Sequence, residues 1–418
     1  MKHYDVIVIG GGVVGLSTAY YLGKAGKSVL VLDKGDGTDG CSFGNAGFVS
    51  PSHFVPLSSP GIVSQGLRWM MRSDSPFYLR PRFDMDLLRW GWQFVRHSNE
   101  KHVSDSKNLL ADLSLMSRSL HKEIADELKL NFQERGIVLL CTTNEALHHE
   151  IEIGKMGEEL GIVATAMTME EINQLDPDVE KQGVGGVFFP QDAYTDPVIF
   201  MAQITSLLQS MDVTVEYGTD VTDFSYSGGK IQNITANSTV YAADQYVMAA
   251  GSFSQPLMKK LGLRLLLEGG KGYSVDWMNP VSIPSVSYIL IEARVAITPM
   301  VNRVRLAGTM EIAGLNGQVN RKRAHAFLRS IQNYFPEYEF EKIKDLPVWA
   351  GLRPCSPDGL PYIGRTKKFN NLILGTGHAM LGFTLGPVTG KLVKEIAMEE
   401  NTSLETLSAN VRGESSAL

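Results

Sequence analysis

The N-terminal segment combines the apolar spacings of a strand, a helix and a second strand. An unbroken apolar run from Val6 to Ile9 precedes a glycine-rich turn, and apolar residues then recur at helical spacing from Val13 to about Gly23. Gly26 closes this predicted helix. A β-rich run follows from Ser28 to Leu32 and ends at Asp33. The pattern therefore predicts a strand, a turn, a helix and a strand in that order.

Two other spacings divide the rest of the chain. Residues from Pro51 to about Gly185 follow a helical pattern, most clearly from Asn108 to Leu130, which predicts a helical insertion. Residues 272–278, 287–300 and 304–314 alternate or run apolar in the manner of strands. The serine-rich C-terminus is expected to be a loose tail.

Length bears on the number of domains, and charge bears on the possible partners. The 418 residues exceed what a single core usually holds, which predicts two domains or one domain with a large insertion. The net charge is −6, and no stripe of lysine and arginine could neutralise a row of phosphates, so nucleic acid is not expected as a partner.

Cysteine usage and the N-terminus bear on the compartment and on metals. Cys41, Cys141 and Cys355 are too few and too widely spaced for a disulfide framework or a metal cluster, so we expect reduced thiols and no metal site. The chain has no signal-peptide pattern and no apolar run approaching about 20 residues. A cytoplasmic protein that does not span a membrane is expected.

The glycine-rich turn has the spacing of a dinucleotide-binding site. Gly10, Gly12 and Gly15 allow a tight turn and a close approach to a pyrophosphate, whose charge is stabilised at the N-terminus of the following helix. Asp33 stands where a carboxylate can accept hydrogen bonds from a ribose. A later strand, Tyr246 to Ala250, breaks at Gly251 and is a candidate for a second cofactor contact. The first turn alone leaves NAD and FAD open.

Further motifs resemble one family of flavoenzymes. The motifs are CSFGNAGFVSPSH (41–53), GVFFPQDAYTDPVIFMAQI (186–204), EGGKGYSVD (268–276), GLRPCSPDGLPYIG (351–364) and NLILGTGHAMLGFTLGP (371–387). In this order, over nearly the whole chain, they resemble the D-amino acid dehydrogenase and glycine oxidase branch of the D-amino acid oxidase superfamily of FAD enzymes.

The resemblance implies an α/β fold with two parts. A Rossmann-type FAD-binding domain is expected from residues 1–60, 185–255 and 345–418. An α+β substrate domain that carries a large antiparallel sheet is expected from residues 61–184 and 256–344.

The resemblance also implies which residues contact FAD. The expected cofactor-binding residues are Gly10, Gly12, Val13, Val14, Gly15, Asp33, Lys34, Ser42, Asn45, Ala46, Gly47, Val221, Ala250, Gly251, His378, Leu381, Gly382, Phe383 and Thr384. A helix starting near Gly382 is expected to point its N-terminus at the flavin N1/C2 carbonyl. Sarcosine oxidases attach flavin through a cysteine at the position of Gly351, so the FAD here is expected to be non-covalent.

By the same resemblance, Arg353 binds the substrate carboxylate through its planar guanidinium. A fixed ion pair with Asp358 is the alternative role for this side chain. His53 and His378 are candidates for steering a proton.

The expected pocket is less polar than that of the glycine oxidases. Tyr273, Met310 and Trp277 are expected to line it, with plain core packing as the alternative for each of them. Ala296 and Met380 stand where glycine oxidases have a tyrosine and an arginine. These departures favour a D-amino acid with a side chain or ring, including the proline and hydroxyproline types, over glycine.

The expected reaction is oxidative deamination of a D-amino acid by hydride transfer to flavin N5, with electrons passed to a quinone or another acceptor rather than oxygen. A sarcosine or glycine-type amine oxidase, and an FAD-binding subunit of an electron-transfer complex, remain as alternatives.

The aromatic and arginine-rich stretch from Arg68 to Arg96 has two possible interpretations. It is either a peripheral contact with the inner face of the membrane, or core aromatics with arginines in water.

Overall fold

The computed structural model describes residues 3–70 and 75–404. Four residues of the aromatic and arginine-rich stretch, and most of the C-terminal tail expected to be loose, lie outside the described residues.

The strands are β1 His3–Ile9, β2 Val29–Leu32, β3 Phe48–Val49, β4 Phe77–Leu79, β5 Ile137–Cys141, β6 Thr165–Met167, β7 Gly185–Phe189, β8 Ala193–Tyr194, β9 Val213–Glu216, β10 Val221–Ser227, β11 Lys230–Ala236, β12 Thr239–Met248, β13 Glu268–Met278, β14 Ser287–Leu290, β15 Val295–Met300, β16 Arg303–Ile312, β17 Val348–Cys355, β18 Tyr362–Arg365 and β19 Leu372–Thr376. The helices are α1 Val13–Lys24, α2 Ile62–Met70, α3 Met85–His97, α4 Glu100–Leu128, α5 Asn144–Glu158, α6 Met169–Leu175, α7 Pro197–Leu208, α8 Ser254–Lys260, α9 Arg321–Ile331, α10 Phe340–Ile343 and α11 Gly386–Ala397.

The first sheet is parallel at its centre. Its strands run in the order β10-β11-β12-β1-β2-β9, and β19 adds to β12 in parallel. Strands β1, β2, β9 and β12 are parallel, and β10 and β11 form an antiparallel extension. Helices α1, α4, α7 and α11 bury apolar side chains against one face. A parallel centre covered by helices is the Rossmann type of arrangement.

The second sheet is larger and mostly antiparallel. Its order is β17-β13-β16-β15-β14-β5-β7-β6, with β4 added to β16 in parallel. Helix α9 packs its apolar side against this sheet through Ala324, Phe327, Leu328 and Ile331. The two sheets confirm the predicted fold class, an α/β Rossmann-type part with an α+β part that carries a large antiparallel sheet.

Some segment assignments differ from those expected. Strands β7 and β17 hydrogen-bond into the second sheet, although residues 185–255 and 345–418 were expected in the FAD-binding part. Strands β4, β5 and β6 lie within the expected helical insertion. A short apolar run such as that of β5 suits a buried strand and a buried helix equally, and sheet pairing decides between them. The division into domains stays a prediction.

Candidate active site

A cavity of about 2280 Å³ lies beside the carboxyl ends of β1, β2, β12 and β19. Ligands of open parallel sheets bind at this edge. Typical small-molecule sites occupy about 300–1,000 Å³, so the cavity has room for a dinucleotide together with a second molecule. It extends from the glycine turn to the face of the second sheet, where Ala296, Ala307, Trp349 and Arg353 line it.

Most of the predicted cofactor residues lie in the cavity wall. They are Gly10, Gly12, Val13, Val14, Asp33, Lys34, Ser42, Asn45, Ala46, Val221, Ala250, Gly251, His378, Leu381, Gly382, Phe383 and Thr384. Their individual contacts with a cofactor stay predictions.

Gly15 and Gly47 face the protein instead of the cavity. A Cβ atom on Gly15 would overlap with the carbonyl oxygen of Gly10, so this glycine allows α1 to pack closely on the turn. Gly47 has a φ of +82°, and a Cβ atom there would overlap with the carbonyl oxygen of Thr195. Both glycines therefore shape the site without lining it.

The glycine turn is held by two side chains from outside it. Asp33 Oδ2 accepts a hydrogen bond from Gly11 N at 2.6 Å, and its Oδ1 accepts one from Gly35 N at 2.7 Å. Ser42 Oγ accepts from Val13 N at 3.0 Å, at the N-terminus of α1. This hydroxyl and the helix N-terminus together suit an anion such as a pyrophosphate.

The loop from His378 to Thr384 is fixed by α4, which sequence reasoning missed. His121 Nε2 donates to the carbonyl of Phe383 at 2.9 Å, and Ser117 Oγ donates to the carbonyl of Thr384 at 2.6 Å. Both carbonyls are thereby turned into the core, and burial lowers the pKa of His121 to about 4. Nothing local marks these residues, because they lie more than 250 positions from the loop.

His378 is buried at the same loop and is 2% exposed. Its Nε2 lies 2.8 Å from Thr389 Oγ1 on α11. Burial lowers the pKa of His378 to about 3, so the ring stays neutral. The helix expected near Gly382 begins later, at Gly386, because residues 379–382 form a 3₁₀ turn.

Arg353 lies on β17 with its guanidinium over the backbone of Gly272 in β13. A Cβ atom on Gly272 would overlap with that guanidinium. Arg353 Nη1 donates to the carbonyl of Thr309 at 2.8 Å, where Thr309 adopts a φ of +70° beside a register shift between β13 and β16. Burial lowers the pKa of Arg353.

Arg353 has no carboxylate partner among the residues at positions 3–70 and 75–404. The groups that affect its pKa electrostatically are the thiols of Cys41 and Cys355. Asp358 accepts a hydrogen bond from Leu360 N at 3.2 Å and forms no ion pair with Arg353. A cavity-lining guanidinium without a carboxylate partner suits an anion from outside the chain.

Trp349 is a second site residue that sequence reasoning missed. Its indole lies against the backbone of Gly44 and of Gly351, where added Cβ atoms would overlap with the ring. The side chain lines the cavity. Strand alternation around Arg353 was the available signal, because positions 349, 351 and 353 share a face.

Tyr273, Met310 and Trp277 differ in position. Tyr273 and Met310 line the cavity, but the Tyr273 hydroxyl donates to Glu311 Oε2 at 3.1 Å in a buried network. Trp277 instead packs edge-to-face on Tyr338 in the core, with ring centroids 5.0 Å apart. Its expected role in the pocket is wrong, because alternation does not distinguish an apolar core face from an apolar pocket face.

His53 lines the cavity beside a buried acid. Its Nδ1 lies 3.1 Å from Ser52 Oγ, which donates to Asp192 Oδ2 at 2.5 Å. Burial, with a smaller effect of Arg294, lowers the pKa of His53 to about 4. Burial also raises the pKa of Asp192 to about 7.

The described ranges contain neither a metal-binding cluster nor a membrane-spanning helix. No group of three His, Cys, Asp or Glu residues there could hold a metal ion. No helix in that part of the chain combines the length and apolarity required to span a bilayer.

Comparisons with known proteins agree with this geometry. A family model described as FAD dependent oxidoreductase matches residues 5–396. A D-amino acid dehydrogenase of Granulibacter bethesdensis is 32% identical over 411 residues, 96% of this chain and 97% of that protein. One of Methylobacterium radiotolerans is 32% identical over 401 residues, 94% of this chain and 95% of that protein. The crystal structure of glycine oxidase from Geobacillus kaustophilus shares the fold, with a TM-score of 0.80, 22% identity and coverage of 99% of this chain and 98% of that one.

Proposed function

The chain belongs to the family of FAD-dependent oxidoreductases, and from that premise we propose that it catalyses the oxidative deamination of D-amino acids. The full-length similarity to proteins named D-amino acid dehydrogenase supports this substrate class. The observation that carries the proposal is the cavity-lining guanidinium of Arg353, which lacks a carboxylate partner among the described residues.

FAD fits the residues that are present. The glycine turn, Ser42 and the α1 N-terminus would hold its pyrophosphate, and Asp33 its ribose. The loop whose carbonyls are held by Ser117 and His121 would face the flavin end. When bound, FAD supplies the hydride acceptor for the substrate Cα–H bond.

The protein's part in the reaction is to orient a zwitterion. Arg353 would bind the substrate carboxylate through two parallel hydrogen bonds, which fixes the hydrogen on the α-carbon relative to the cofactor. His53 and His378 are both held neutral by burial, so neither starts the reaction as an acid. Their predicted part in steering a proton is therefore limited to accepting one.

An exposed apolar surface on α3 favours an apolar electron acceptor. Leu88, Trp92 and Val95 share one helical face and are 57%, 58% and 56% exposed. They also line the cavity. Soluble surfaces rarely expose contiguous apolar patches without an interaction to explain them. Trp92 is exposed and does not belong to the core. This surface therefore supports the interpretation of the aromatic and arginine-rich stretch as a peripheral membrane contact.

The opposite side of α3 anchors the helix to the site. Trp90 is buried, and its Nε1 donates to the carbonyl of Cys355 at 2.9 Å, on the strand that carries Arg353. Arg96 lies over the Trp92 ring at 5.5 Å, which places a cation at the edge of the apolar surface. A quinone in an anionic membrane would match both features, and we propose it as the acceptor in place of oxygen.

Anaerobic reduction of the bound flavin tests the proposed substrate class. A panel of D-amino acids, cyclic D-imino acids, their L-enantiomers, glycine and sarcosine would be mixed with the enzyme and the flavin absorbance followed. Bleaching by D-enantiomers alone is expected, because one carboxylate clamp and one flavin face fix the stereochemistry. Equal bleaching by L-enantiomers, or preference for glycine or sarcosine, would contradict the proposal.

A further inference from the structure

One face of α5 forms an end of the cavity. Ala146, His149, Glu150 and Ile153 line it at helical spacing. Glu150 is only 7% exposed and forms no hydrogen bond or ion pair with any residue in the described part of the chain. Its carboxyl group is accessible from the cavity and lacks a protein partner within the described ranges, so it can accept a hydrogen bond from a bound molecule.

His53 lines the same cavity. The ring of the next residue, Phe54, packs on α5, with its Cε1 3.0 Å from a Cβ atom built on Gly157. Both His53 and Glu150 lie within electrostatic range of Arg294. The imidazole and the unpartnered carboxyl both line the cavity and both lie near Arg294.

The hydrogen bonds of Ser52 determine which His53 nitrogen carries the proton. Asp192 accepts from Ser52 N at 3.0 Å and from Ser52 Oγ at 2.5 Å. Above the pKa of Asp192, which is about 7, the ionised carboxylate takes the only hydroxyl proton of Ser52, so the Ser52 oxygen accepts from His53 Nδ1, 3.1 Å away. Nε2 is then a bare acceptor, and it has no hydrogen-bond partner among the residues that the structure describes.

We propose that His53 Nε2 and the Glu150 carboxyl form a distal subsite that accepts hydrogen bonds from a neutral donor, a hydroxyl or an amide N–H, on the side chain of the substrate. The proposal rests on the proposed function, in which Arg353 holds the other end of the amino acid. Arg353 binds the carboxylate that all D-amino acids share, whereas this subsite would select those with a hydroxyl or an amide N–H on the side chain.

The charges near the subsite favour a neutral donor over a cation. Burial raises the pKa of Glu150, and burial together with Arg294 lowers that of His53. Arg294, His149 and Glu292 are the other charged or titratable groups acting on Glu150. Arg294 and Glu292 act on Glu150 with opposite signs, and burial disfavours its ionised form, so a hydroxyl or an amide suits the subsite better than an ammonium.

Matched substrates test the subsite in the holoenzyme. The kcat and KM values would be measured at pH 8 for 4-hydroxy-D-proline against D-proline, D-asparagine against D-leucine, and D-lysine against D-norleucine. For the first two pairs, kcat/KM of the donor-bearing member is expected to be at least about tenfold higher, mostly through KM, because its analogue leaves buried acceptors unpaired. D-lysine is expected to show no such advantage.

Variants distinguish loss of the subsite from general structural damage to the enzyme. Glu150→Leu and His53→Phe are expected to reduce both ratios towards one. His148→Phe, on the same helix but outside the cavity wall, is the matched control and should leave them unchanged. In Asp192→Asn the amide would donate to Ser52 Oγ, which turns the hydroxyl towards His53 Nδ1 and makes Nε2 a donor, so the preference for the amide N–H should fall.

Each outcome bears on a distinct claim. Ratios near one in the unaltered enzyme, or ratios that survive in both Glu150→Leu and His53→Phe, overturn the subsite. A clear preference for D-lysine over D-norleucine overturns its neutral character. Failure of every D-amino acid to reduce the flavin rejects the proposed function, and this inference with it.

Discussion

The guanidinium of Arg353 lies directly on the backbone of Gly272, in the space that a side chain at position 272 would fill. The two residues belong to paired strands, β17 and β13. The absence of a Cβ atom on one strand therefore permits the charged group of the other to reach the cavity.

Gly272→Ala should displace Arg353 and weaken substrate binding. The added methyl group overlaps with the guanidinium, which must leave its contact with the Thr309 carbonyl. KM should rise by at least about tenfold while FAD remains bound, since a misplaced charged hydrogen bond costs about 1.5–3 kcal/mol. Gly317→Ala is the matched control, because nothing lies within 4 Å of a Cβ atom there. Equal KM values for the two variants would show that the contact has no functional consequence.

Arg353→Ala should retain FAD and lose most of its kcat/KM. Removing one member of a desolvated ion pair costs about 3–5 kcal/mol, on the order of a hundredfold or more in kcat/KM. Arg353→Lys should recover only part of the loss, because an ammonium cannot form the bidentate pair. Steady-state kinetics with a D-amino acid provide the measurement, and near-normal values for Arg353→Ala would assign the guanidinium a structural role.

Acid precipitation should release FAD into the supernatant. Gly351 offers no thiol for attachment. Cys355 is fully buried, and burial raises the pKa of its thiol to about 12. At neutral pH that thiol is therefore protonated and a weak nucleophile. Flavin absorbance that remains with the precipitated protein would indicate a covalent bond.

The stability of the protein should depend on the ionisation of Asp192. Its folded-state pKa is raised from 3.8 to about 7, so the protonated form favours folding and this contribution is lost as pH rises from about 4 to 7. Asp192→Asn cannot ionise, and its Tm relative to the unaltered protein should therefore increase between pH 5 and pH 8. Parallel thermal unfolding curves of the two proteins give this difference. A difference that does not change with pH would show that Asp192 is not protonated in the folded protein.

Leu88→Asp combined with Trp92→Asp should impair reduction of a membrane quinone selectively. Both side chains are exposed and lie on the apolar surface of α3, so their replacement should spare folding. Reduction of a water-soluble dye should continue at the original rate, and quinone reduction in anionic vesicles should fall at least about tenfold. Stopped-flow mixing of the reduced enzyme with oxygenated buffer completes the test. Reoxidation by oxygen as fast as turnover, with stoichiometric hydrogen peroxide, would identify an oxidase instead.

Local sequence was sufficient for the parts of the site that are built from neighbouring residues. The glycine turn and the beginning of α1 at Val13 follow from the spacing of Gly10 to Gly15 within one strand-turn-helix unit. The importance of Arg353 followed from the resemblance and from the cost of burying one guanidinium in an apolar turn. In these cases the chemistry and the fold are encoded within a few residues of each other.

Contacts between distant segments were decided by the tertiary structure. Ser117 and His121 contact the loop from His378 to Thr384, Trp349 contacts two glycine backbones, and Glu150 lines the cavity. None of these positions follows from local sequence, because each depends on which strands and helices pack together. The same holds for Trp277, whose alternating position allowed either a pocket or a core. Hydrogen bonds and van der Waals contacts act over a few ångströms, so residues hundreds of positions apart acquire a role only when the sheets bring them together.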